Sequence, residues 1–137
     1  MLHEELTGKI LAASFDVMNE LGAGFLESVY ERALAIVLQE RGLLIRIQHP
    51  LTVKFRGHSV GEFWADILVE EKVLVELKAV KALMPEHQAQ LINYLKATQI
   101  PIGLLINFGN PKLEYRRLTR EKSVSEIENT ERKIPNL

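Results

Sequence analysis

The chain of 137 residues contains no cysteine. Disulfide cross-links and thiolate-held zinc are therefore excluded, and a reducing, cytoplasmic setting is the expected one. No apolar run approaches the ~18 residues that a membrane-spanning helix needs, so no membrane partner is expected. The opening MLHEELTGKI lacks the basic-then-apolar layout of a secretion signal. Excess charge is lacking too: the formal net charge is −1, which rules out a global basic field, so any nucleic-acid partner must be held by a local patch. What is present suffices for one domain with a real core, since 47% of the residues are hydrophobic.

Apolar residues recur at helical spacing through Leu6, Ile10, Leu11, Val17, Met18 and Leu21, which predicts an amphipathic helix over residues 4–20. Gly22-Ala23-Gly24 interrupts it, and a second helix is expected from about Leu26 to Arg41. From Leu43 the period changes to two and branched residues dominate. LLIRIQ and LTVKF read as two strands, Arg56-Gly57-His58 as a turn, and ADILVEEKVLVELK as a buried hairpin. Pro85 suits a helix start and residues 86–98 continue that helix; IPIGLLINFG returns to strand, and KLEYRRL adds a short edge strand. The expected order is α-α-β-β-β-β-α-β, an α/β layout with a mixed sheet flanked by helices. The helix between the last two of these strands has the length of a crossover joining parallel strands. The domain is expected to span 1–118, with 119–137 a polar, flexible tail lacking periodicity.

The hairpin carries charges where a core is being built. Glu76 and Lys78 share one strand face by alternation. A three-residue loop of Glu70, Glu71 and Lys72 would set Asp66 opposite Glu76, whereas a two-residue loop would send Asp66 to the other face. Paired carboxylates call for a positive partner, and hard oxygen donors suit Mg²⁺ or Mn²⁺. Lys78 would then orient or deprotonate a water, or balance developing negative charge. An alternating charge cluster on a solvated sheet face is the plain alternative. Gln90 and Tyr94 stand i, i+4 on one helix face and reach one spot together, or form an amphipathic border. Glu27 is a first-turn carboxylate that favours the helix dipole by itself; Tyr30, one turn on, belongs to the core or braces Glu27. His87 shares the face of Gln90, while His49 and His58 have no metal-ligand spacing. Phe63 and Trp64 are expected against a helix, and Lys81 near a phosphate at most.

Asp66 followed by Glu76-Leu77-Lys78 resembles the D-(x)n-E-x-K core of the PD-(D/E)xK nuclease superfamily. GFLESVY, residues 24–30, resembles the pattern that names the GxxExxY family within it, and QLINY, residues 90–94, resembles the QxxxY helix motif of lambda-exonuclease-like members. The motifs stand in the expected order across residues 5–118; Ala65 replaces the proline of the superfamily pattern. The resemblance implies a restriction-endonuclease-like fold and Mg²⁺-dependent (or Mn²⁺-dependent) hydrolysis of nucleic-acid phosphodiesters, with DNA the expected substrate. It makes Asp66 and Glu76 metal ligands, with the Leu77 carbonyl and Glu27 completing the shell. Lys78 becomes the residue acting on water or transition state, and Gln90 and Tyr94 its partners at the site. A homo-oligomer or a protein partner would supply further binding surface. The alternative is a non-catalytic binding or regulatory module that keeps the fold.

Overall fold

The computed structural model describes residues 2–120. Its elements run α1 (Glu4–Leu21), α2 (Glu27–Glu40), β1 (Ile45–Phe55), β2 (His58–Val69), β3 (Val73–Lys78), α3 (Pro85–Thr98), β4 (Ile102–Asn107) and β5 (Glu114–Thr119). The strands lie in sequence order in one sheet. Pairing is antiparallel except between β3 and β4, which α3 joins as parallel neighbours. VLVELK and IGLLIN are buried nearly throughout, as near-continuous apolar strands must be when helices cover both faces. On one face Ile10, Val17, Tyr30, Leu34 and Leu38 of α1 and α2 meet Ile67, Val75 and Ile106. On the other, Leu91, Tyr94 and Leu95 of α3 meet Leu68, Leu74 and Leu105. The result is an α/β fold with a mixed sheet flanked by helices, the arrangement that the sequence resemblance implies. No helix among the described residues is long and apolar enough to cross a membrane.

Two features of the order depart from the sequence reading. LLIRIQ and LTVKF fuse into the single strand β1, so three strands precede α3 and two follow it. The Gln48-His49-Pro50 stretch looks like a break because proline cannot donate to a ladder. β1, however, is an edge strand, where an unpaired N–H side is free and proline is tolerated. The expected tail overlaps β5 at Thr119; its residues from 121 onward lie outside the described ones.

The β1–β2 ribbon contains an irregularity. Ile47 pairs with Ile67 and His49 with Ala65, leaving Gln48 opposite Asp66. Ile45 and Ile67 pack toward α1 and α2, yet Leu51 and Ala65 pack toward α3. Regular alternation would put Ala65 and Ile67 on the same side. Both strands therefore slip by one face at the same rung. On β1 the slip coincides with Gln48, whose φ is +53°, a left-handed value uncommon outside glycine. The other non-glycine residues with positive φ among those described are His3, Arg56, Glu70, Glu71 and Gln99, all at turns or helix ends.

Candidate active site

β2 and β3 are joined by three residues, with Val69 paired to Val73 and Ile67 to Val75. Continuing that register sets Asp66 opposite Glu76. Beyond Val75 the strands part, and the two carboxylates occupy the opening. The Asp66 N–H donates to Glu76 Oε1 at 2.9 Å, and the Leu77 N–H donates to Asp66 Oδ2 at 2.7 Å. Backbone donors that would otherwise bond the facing strand are thus satisfied by side chains reaching across. Each residue fastens the other's strand, and the ladder stays open.

This arrangement is electrostatically expensive. Glu76 is only 6% exposed, and burial, then the charge of Asp66, pushes its carboxyl up to about 8, against the pull of the Asp66 N–H and Lys78. Asp66 is also raised by burial, opposed by its bond from Leu77 and by Lys78. Desolvation and a like neighbour both favour the protonated form. Lys78, half-buried at the end of β3, is the cation that both carboxylates feel.

Helix α2 brings two more carboxylates. Glu27 opens its first turn, and its carboxyl is raised by burial, then by Asp66, and lowered by Lys78. Glu31 is raised by burial and by Asp66. The Gln48 amide stands between it and the sheet, donating to Glu31 Oε1 at 2.7 Å and, more weakly, to Asp66 Oδ1 at 3.4 Å. The sequence reading missed Glu31 and Gln48. The signal for Glu31 was its position four residues after Glu27, on the same helical face. Nothing marked Gln48, a lone amide before His-Pro. Among the described residues, no three His, Cys, Asp or Glu side chains are gathered into a ready metal cage.

The delivery of Glu27 has a local explanation. Gly24 has φ +113°, which makes the α1–α2 turn accessible to glycine. Tyr30 is fully buried and stacks on Phe108 with ring centroids 4.7 Å apart. Its hydroxyl donates to the Gly22 carbonyl at 2.6 Å and accepts from the Phe25 N–H at 3.2 Å. Of the two roles open to Tyr30, the structure shows the core one, with the hydroxyl clamping the turn that precedes Glu27.

On the α3 side, Tyr94 is buried, and its phenol is raised by burial and then by the charge of Glu76. Gln90 is exposed, and its Nε2 donates to the Tyr94 hydroxyl at 3.1 Å, with no bond to Lys78 among the described residues. Tyr94 also meets Phe63 at 5.7 Å. Phe63 therefore packs on a helix as expected, whereas Trp64, its neighbour on the opposite face, is 56% exposed and does not. His87 Nδ1 accepts the Met84 N–H at 2.9 Å and so belongs to the α3 N-terminus. Between α3 and the β1–β2 ribbon lies an open groove of about 970 Å³ whose lining includes Lys54, Phe63, Gln90, Asn93, Tyr94 and Lys96.

A polar lock, also missed, fixes the loop after Lys78. Asn107, wholly buried at the end of β4, accepts the Val80 N–H at 2.9 Å, donates to the Val80 carbonyl at 2.9 Å and donates to Glu114 at 3.0 Å. Gly109 completes it: a Cβ there would lie 2.0 Å from the Val80 carbonyl oxygen. The sequence reading places Asn107 inside the strand IPIGLLINFG without a role, because its partners Val80 and Glu114 lie on other segments.

A family model described as the PD-(D/E)XK nuclease superfamily matches residues 4–118. No curated protein matches the chain by sequence. Among solved structures, the crystal structure of SSO0001 superposes with a TM-score of 0.57 at 14% identity, covering 93% of this chain and 64% of the other. An alkaline exonuclease from Laribacter hongkongensis gives a TM-score of 0.51, also at 14% identity, covering 79% of this chain and 62% of its own. The chain thus spans less than two thirds of either relative, and at this identity the likeness is one of fold.

Proposed function

Because the chain belongs to the PD-(D/E)XK nuclease superfamily, we propose that it hydrolyses nucleic-acid phosphodiester bonds, DNA foremost, with Mg²⁺ or Mn²⁺ as its cofactor. The observation that carries this reading is the pair Asp66 and Glu76, interlocked across an open ladder with Lys78 beside them. The donor chemistry fits such a cation. All the side-chain donors are hard oxygens, and Mg²⁺ is usually held by one or two carboxylates with water filling the rest. The lack of a three-residue cage among the described residues is compatible with that mode.

Asp66 and Glu76 would hold the ion, with the Leu77 carbonyl and Glu27 as further oxygen donors. When bound, the ion would lower the pKa of a ligated water and neutralise charge on the phosphate. Lys78 orients the attacking water and balances negative charge as the water oxygen bonds to phosphorus and the P–O ester bond breaks. Tyr94, its oxygen engaged by Gln90, keeps its phenolic proton available for an acceptor. The groove offers Lys54 and Lys96 to phosphates and the face of Phe63 to a base.

Within the superfamily we assign the chain to the GxxExxY proteins, on the turn built by Gly24 and Tyr30 that presents Glu27. The nuclease-like domain is read as residues 1–118 together with Thr119, the last residue of β5, in a cytoplasmic setting. A second copy or a protein partner extends the nucleic-acid surface. The test is cleavage of labelled single-stranded and duplex DNA in Mg²⁺ or Mn²⁺ by wild type and Asp66→Ala. Cleavage lost in Asp66→Ala and in chelator supports the reading. The backbone donors that already engage Asp66 and Glu76 suit a second reading, a non-catalytic nucleic-acid-binding or regulatory module; DNA binding without cleavage or metal uptake would support it instead.

A further inference from the structure

We infer that Gln48 is a positioning residue for this carboxylate centre, holding Asp66 and Glu31 on either side of one amide by means of its left-handed backbone. The inference rests on the functional reading above and extends it to two residues outside the superfamily motifs. Three observations converge on the same rung. Gln48 has φ +53° inside a strand, the only such non-glycine residue among those described. Both strands of the ribbon slip by one face there. The Nε2 group lies 2.7 Å from Glu31 Oε1 and 3.4 Å from Asp66 Oδ1.

The slip explains the aim. Had alternation continued from Ile45 and Ile47, Gln48 would point to the α3 side. The positive φ turns it instead toward α2, where Glu31 stands, and the paired slip on β2 gives Asp66 the same direction. Two like charges are thereby bridged by a neutral donor that bonds both. Without it, the Asp66 side chain keeps, among the described residues, the Leu77 N–H as its sole hydrogen-bond donor and is held less firmly in the opening. Strain held at one position inside a strand is a mark of functional geometry when the surroundings impose it. Here the ladder pairs on either side, Ile47 with Ile67 and His49 with Ala65, impose it.

Three substitutions separate the amide from the backbone. Gln48→Ala removes the amide and keeps the strain, Gln48→Gly removes both, and Gln48→Asn tolerates the left-handed conformation with an amide one methylene shorter. Mn²⁺ affinity, read from the free-Mn²⁺ resonance signal, and metal-free melting temperature are measured for each, with kcat and KM on a DNA oligonucleotide. Supporting residues of metal sites typically contribute about 10–100-fold in affinity, so Gln48→Ala and Gln48→Gly are both expected to lose at least about tenfold. Gln48→Gly melts at or above Gln48→Ala; Gln48→Asn recovers part of the affinity, and the catalytic loss falls on kcat. Wild-type affinity in Gln48→Gly overturns the inference, and so does affinity that merely follows melting temperature across the three. A wild-type protein that takes up no Mn²⁺ overturns the functional reading itself. In that event the metal-free melting temperatures of Gln48→Ala, Glu31→Ala and the double variant still decide the bridge, additivity counting against it.

Discussion

Glu76 sits where two opposing demands meet. Its carboxylate holds the Asp66 N–H, yet burial and Asp66 raise its pKa to about 8. A carboxyl with a folded pKa above its unfolded value binds protons more tightly in the native state. The contribution of Glu76 to metal-free stability is therefore fully present below the ordinary glutamate pKa and is lost as pH rises toward about 8. Asp66, raised by burial, adds to the same trend. Glu76→Gln keeps an amide oxygen for the Asp66 N–H and removes the charge. Its urea midpoint is expected to exceed that of wild type at pH 8 and to vary much less between pH 5 and 8. A wild-type midpoint that rises over this interval would contradict the assignment. Lys78→Ala separates chemistry from binding: the fold and Mn²⁺ affinity should persist, while kcat falls by about 10²–10⁴-fold, the usual share of a positioned proton-transfer or charge-balancing group. Single-turnover cleavage measures it.

Elements position these residues through their ends. The α1–α2 turn depends on Tyr30, whose ring fills the core against Phe108 while its hydroxyl serves Gly22 and Phe25. Tyr30→Phe retains the ring and leaves the Gly22 carbonyl and Phe25 N–H without that partner. We expect a loss of about 1–2 kcal/mol in urea unfolding and a weaker Mn²⁺ affinity, because the turn that presents Glu27 loosens. Unchanged affinity would mean that Glu27 is placed by α2 alone. At this scale the sequence is legible where one period governs. The helices and the β2–β3 hairpin follow from spacing, whereas the Asp66–Glu76 rung is one of two outcomes between which the three-residue loop decides. The fused β1 and the slip at Gln48 do not follow from spacing, because edge position and a single backbone angle decided them, and neither leaves a periodic trace. Glu31 was concealed for a related reason: a glutamate on a helix surface acquires meaning only when a sheet residue faces it. Asn107 and Glu114, seven residues apart, join only once β4 and β5 have paired.

For the whole molecule, the proposed cation would compete with protons for the oxygens at the open ladder. A ligand that prefers the native state stabilises it in proportion to the logarithm of its concentration over Kd, and it needs the carboxylates deprotonated. In metal-free buffer the protein therefore weakens toward pH 8, while the cation's affinity rises over the same interval. The two trends oppose each other. The increase in melting temperature produced by a fixed excess of Mn²⁺ should be small near pH 5 and should grow toward pH 8, offsetting much of the metal-free decline. Ca²⁺ should act similarly without supporting cleavage if only the oxygen donors matter for stability. Asp66→Ala should abolish the increment at every pH, and Glu76→Gln should abolish most of it, since each removes a ligand as well as a charge. Thermal unfolding at several pH values, with and without Mn²⁺, provides the measurement. An increment independent of pH, or one retained in Asp66→Ala, would place the cation elsewhere on the surface and leave the strained carboxylate pair without a partner.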